Sequence, residues 1–101
     1  MTGSSAAFEP LHAPPEALEK GGTEILRAAI LTDGNLQVTL RRAFDEPDIW
    51  GILLADVARH AARIFAVEAA ASEDSALERI RSMFNAEMES ATDIGTTNSI
   101  S

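Results

Sequence analysis

Asp33-Gly34-Asn35 separates two runs rich in apolar residues, Ile25 to Leu31 and Leu36 to Phe44, and that arrangement commits residues 23–44 to a β-hairpin. Asp-Gly between alternating hydrophobics is a strong hairpin signal, because glycine takes positive φ without steric cost. Loop length then sets which side chains share a face. A two-residue loop pairs Leu31 with Leu36 and Arg27 with Leu40, driving an arginine onto the face of Leu36, Val38 and Leu40. A three-residue loop puts Leu26, Ala28 and Ile30 there instead and sends Arg27 outward beside Gln37, Thr39 and Arg41. The three-residue loop is the expected one. Even so, Ile25, Ala29 and Leu31 fall on the outward face, which is more apolar than a solvated hairpin should show.

Two helices should follow. Asp45-Glu46-Pro47-Asp48 is a start signal, since carboxylates suit the positive end of the helix dipole and proline is tolerated in the first turn. Ile49, Trp50, Leu53, Leu54, Val57, Ala61, Ile64 and Phe65 then recur at helical spacing to about Val67 or Glu68. Beside them runs a stripe of very small residues, Gly51, Ala55, Ala58, Ala62 and Ala66, with a narrow polar strip at Asp56, Arg59 and Arg63. Small side chains admit a close neighbour, so this helix should pack on the sheet with one side and on a second helix with the other. In Ser72-Glu73-Asp74-Ser75 either serine can cap that second helix, and Ser75 to Glu78 fits a capping box. Its apolar stripe is Leu77, Ile80, Phe84 and Met88, with Met83 at the margin, fading near Ser90 to Thr92. The expected fold class is α+β: an N-terminal antiparallel β-hairpin followed by two packed helices, ββαα. Leu40, Trp50, Leu53, Val57, Ile64, Ile80 and Phe84 should form its core.

Both ends read as disordered tails, 1–22 for its Gly, Pro and Ser content and 92–101 for its small polar residues, leaving a single domain over 23–91. A domain of that size barely stabilises itself with its own core, so an oligomer is expected. The hairpin would leave both sheet edges unpaired, and pairing them across a two-fold axis would give a homodimer. The alternative interface is the small-residue stripe. With 16 acidic residues against 8 basic ones the formal charge is −8, which repels nucleic acid and anionic membrane surfaces alike. The chain has no cysteine, so disulfides, thiolate metal sites and thiol nucleophiles are excluded together. Neither a long apolar run nor a signal peptide is present, so the expected location is cytoplasmic, away from membranes.

The string Leu36-Gln37-Val38-Thr39-Leu40-Arg41-Arg42-Ala43-Phe44-Asp45-Glu46-Pro47-Asp48-Ile49-Trp50-Gly51, with Leu54-Ala55-Asp56-Val57-Ala58-Arg59-His60 after it, resembles a family of small alphaproteobacterial proteins catalogued only as a domain of unknown function. The likeness covers about residues 23–93. It implies a bacterial cytoplasmic source and no assigned activity.

Chemistry is sparse. His60 stands four residues after Asp56 on one helix face, the spacing at which a carboxylate orients an imidazole. A zinc site would need further ligands, and no other histidine lies between 23 and 91. Every basic residue of that region is an arginine, and Arg41, Arg42, Arg59 and Arg63 with His60 are the candidate anion or partner site, set against the plainer reading of a solvated ion-pair network. Trp50 reads as a hinge between helix and sheet rather than a stacking platform. The sequence offers no catalytic, cofactor-binding or metal-binding residues. Two functions remain: a non-enzymatic, self-associating interaction or adaptor domain holding an unknown protein partner, or a small-molecule or anion-binding protein or minor enzyme using Asp56, His60 and nearby arginines.

Overall fold

The computed structural model describes residues 7–92 and 96–99. In chain order the elements are α1 (Pro15–Lys20), β1 (Leu26–Ile30), β2 (Leu36–Leu40), α2 (Asp48–Val67), α3 (Glu73–Glu89) and β3 (Thr96–Ser99). The fold is α+β, with the hairpin β1-β2 followed by two helices that pack on each other.

The hairpin has the three-residue loop. Leu26 pairs with Leu40, Ala28 with Val38 and Ile30 with Leu36, so all six share a face. Leu31 N–H donates to Asn35 O at 2.8 Å, which closes the loop over Thr32-Asp33-Gly34. Gly34 has φ +91°, a conformation that any side chain would strain, and the Asp33 carboxylate accepts from the Asn35 N–H at 3.0 Å.

Two elements lie inside the segments expected to be disordered; residues 1–6, 93–95 and 100–101 of those segments lie outside the described residues. Short α1 begins at Pro15 and carries an exposed Glu16–Lys20 ion pair at 2.8 Å. The strand β3 lies parallel to β2, with Val38 opposite Thr97, giving the order β1-β2-β3. Parallel pairing needs a crossover, and α2 with α3 provides it. Thr96 to Ser99 has no apolar pattern to announce a strand, because a backbone ladder requires none.

Each helix end has a local cause. Pro47 is the N-cap of α2. At its other end Ala70 N–H donates to Phe65 O (2.9 Å) and Ala69 N–H to Ala66 O (3.1 Å), the paired bonds of a Schellman turn. Ala69 sits at the left-handed position with φ +58°. Ala69→Gly should therefore raise stability by about 1 kcal/mol, seen as a higher denaturant midpoint at unchanged m-value. Ser72, rather than Ser75, caps α3 by accepting from the Ser75 N–H at 3.2 Å, which puts Ser75 inside the first turn and leaves the Ser75 capping box unformed.

The packing departs from expectation. α2 and α3 close together where Ala62 is 0% and Ala76 4% exposed, but neither helix packs on the sheet. None of the seven expected core residues is buried: Leu40, Trp50, Leu53 and Ile80 are half-buried, and Val57, Ile64 and Phe84 remain exposed. The cause lies at the corner between β2 and α2. Phe44 N–H donates to Arg42 O at 2.7 Å around Ala43, whose φ is +66°, a tight three-residue turn. The Trp50 indole N–H donates to the same carbonyl at 2.7 Å, and the Trp50 and Phe44 rings meet edge to face at 5.8 Å. Trp50 is thus the hinge residue, and the corner it braces holds the helices off the sheet.

Candidate functional site

Surfaces dominate this molecule. At about 100° per residue, Ile49, Leu53, Val57 and Ile64 line one side of α2, while Gly51, Ala55, Ala58, Ala62 and Ala66 line the side roughly opposite. The helix pair uses the small side. The large side is open over most of its length, with Val57 49% and Ile64 57% exposed, while Leu53 near its start is half-buried. The sheet repeats the pattern, since Ile30 is 76% exposed and Leu36 and Ala28 on the same face are also open.

Two grooves accompany these faces. Away from the α2–α3 turn the helices diverge around a groove of about 490 Å³, floored by Gly51, Ala55 and Ala58 and walled by Leu77, Ile80 and Phe84, with Arg59 and Arg81 also lining it. A larger one, about 930 Å³, separates residues 7–14 from β1. Sheet order leaves β1 with an open edge, whereas β2 is the central strand. Ile25 O and the Leu31 N–H point toward the hairpin partner, so by alternation the polar backbone groups of Leu26, Ala28 and Ile30 face that open edge.

The candidate arginine site separates into local pairs. Arg41 Nε donates to Glu24 O at 3.0 Å, and Arg42 lies 3.8 Å from the Asp45 carboxylate. On α2, Arg59 lies 3.7 Å from Asp56, and Arg63 lies 3.8 Å from Glu73 and 3.4 Å from His60 Nδ1. A guanidinium only donates, so in this contact Nδ1 is the acceptor. Asp56 has turned to Arg59, leaving no hydrogen bond between Asp56 and His60. His60 and Arg63 are brought together, and no hydrogen bond or ion pair among the described residues joins Arg41 or Arg42 to them. All these arginines are at least partly open to solvent, where such pairs contribute about 0–1 kcal/mol each. No group of three or more His, Asp or Glu positioned for a metal ion occurs among the described residues.

Glu87 is a feature the sequence did not single out. Its carboxylate accepts the Thr92 backbone N–H at 2.9 Å and the Thr92 hydroxyl at 2.7 Å, fastening the chain just past α3. Those bonds, the backbone one foremost, hold the carboxyl below its ordinary range. A depressed folded-state pKa stabilises above the unfolded value and is lost as pH falls through the folded one. The protection of the Thr92 amide, its exchange rate relative to a free peptide at the same pH, should therefore hold at neutral pH and be lost below the ordinary glutamate range. A rate at Thr92 unaffected by Glu87→Gln would contradict that fastening.

The family described as a domain of unknown function, DUF5076, matches residues 10–92. The chain belongs to this family. The DUF5076 match begins at Pro10, so it takes in α1 and much of the segment facing β1, and it ends before β3. No curated protein matches the chain. Four chains of solved structures do. One, described as "a putative pyruvate dehydrogenase from the photosynthetic bacterium Rhodopseudomonas palustrus CGA009", is 44% identical with a TM-score of 0.71, and the alignment covers 100% of both chains. At that identity and TM-score the two chains share one fold. No helix among the described residues is long and apolar enough to cross a membrane.

Proposed function

We propose that this protein is a non-enzymatic interaction module of the bacterial cytoplasm that works as a homodimer, its hydrophobic core completed by a second copy. One observation carries this. Ile30 is 76%, Ile64 57%, Val57 49% and Leu36 47% exposed, on faces of the sheet and of α2 that do not pack on each other within the chain. A stable interface needs about 800 Å² per partner, and obligate dimers use more. With a net charge of −8, the module's outer surface suits a protein partner rather than nucleic acid or an anionic membrane.

Light scattering at tens of micromolar should return twice the 10.8 kDa chain mass. A monomeric mass would sink the proposal. The dehydrogenase description of the similar structure favours no enzymatic reading here, because Asp56 and His60 are not bonded to each other and the groove near Arg59 is mainly apolar. A His60 imidazole whose NMR shifts ignore a mixture of 2-oxo acids and phosphorylated metabolites is the expected result.

A further inference from the structure

Resting on that self-association, we infer that the dimer is reciprocal: the sheet face of one copy is covered by the large-residue face of α2 from the other. The two faces are complementary in kind, since a sheet with one apolar side is stably covered by a helix layer. They are of comparable length. Five residues of strand span about 17 Å, and α2 from Ile49 to Ile64 spans about 22 Å. Both belong to every chain, and the braced corner at Arg42, Phe44 and Trp50 keeps them from meeting within one chain. A two-fold axis then satisfies both at once, as each copy offers its sheet and receives its partner's helix. The contact is mostly apolar, Leu26, Ala28, Ile30, Leu36, Val38 and Leu40 meeting Ile49, Leu53, Val57 and Ile64; the polar groups on these faces are His60 on α2 and Thr97 and Ser99 beside Val38 and Leu40. The small-residue side of α2 is already occupied by α3 near Ala62, which leaves the large side as the partner's seat.

The chain contains no cysteine, so single cysteines report unambiguously. Val38→Cys marks the sheet face and Val57→Cys the α2 face. Each variant is unfolded and refolded together with the other, then treated with a short bismaleimide. A covalent dimer abundant in the mixture and scarce in either variant alone is the expected result. Cross-linking of Val57→Cys to itself would place α2 against α2 and overturn the reciprocal arrangement while leaving self-association intact, and self-linking of Val38→Cys would do so by placing sheet on sheet. A double variant that links within one chain, running at monomer mass, would show the sheet folded onto its own helix. No covalent species in a sample that scatters light as a dimer would also overturn it, placing the interface at the β1 edge or the α2–α3 groove. A monomeric mass by scattering would remove the self-association itself. Leu36→Cys with Ile64→Cys repeats the test on the same two faces should circular dichroism show that Val38→Cys or Val57→Cys is unfolded.

Discussion

Val57→Asp is expected to convert the proposed dimer to monomer and abolish its cooperative unfolding transition. Val57 lies mid-way along the large side of α2 and is 49% exposed in the single chain, so within the proposed dimer an aspartate there would enter a mainly apolar contact. An unpaired carboxylate in such a place costs several kcal/mol, enough to shift a dissociation constant by a factor of a thousand or more. Ile52→Asp provides the comparison. It is more exposed, at 60%, and lies on the side of α2 that carries Asp56, Arg59 and Arg63, where the substitution should change stability by less than about 0.5 kcal/mol. Sedimentation or light scattering of the two variants side by side decides the matter. Equal effects from both, or from neither, would mean that the large side of α2 is not an interface.

Trp50→Ala should cost about 2–3 kcal/mol, less than a fully buried tryptophan because this one is half-buried. The loss has two parts. The indole N–H bond to Arg42 O at 2.7 Å goes, and so does the edge-to-face contact with Phe44 at 5.8 Å. Trp50→Phe separates them, since it keeps an aromatic against Phe44 and removes only the donor, at about 1 kcal/mol. Because the chain has one tryptophan, circular dichroism rather than fluorescence is the readout. Loss of the brace should also free the tight turn at Ala43, so Trp50→Ala should produce more intrachain cross-link between Val38→Cys and Val57→Cys than the parent does. If Trp50→Ala unfolds at the parent's midpoint, the corner contributes nothing to holding the two halves apart.

Local chemistry in the sequence determined the hairpin and the two long helices, though not α1. Asp33-Gly34-Asn35 set the hairpin and, through the cost of placing Arg27 on an apolar face, its register. Pro47, Ser72 and the three- and four-residue spacings set two helices whose limits fall where backbone groups find local partners. The small stripe of α2 told which side takes α3. These features were legible because each depends on neighbours within a few residues. β3 was not, because Thr96 to Ser99 joins the sheet through backbone pairing that has no side-chain signature. The burial pattern was not legible either, since periodicity shows that a face is apolar but not which surface covers it. The arginines were resolved only in three dimensions: Asp56 was free by spacing to turn toward His60 or Arg59, and it turned to Arg59. The direction of the chain after β2 was decided by one carbonyl, Arg42 O, accepting from both Phe44 and Trp50, a contact that no periodicity encodes. That corner keeps the sheet from its own helices, and with it the protein's largest apolar faces become available to a partner.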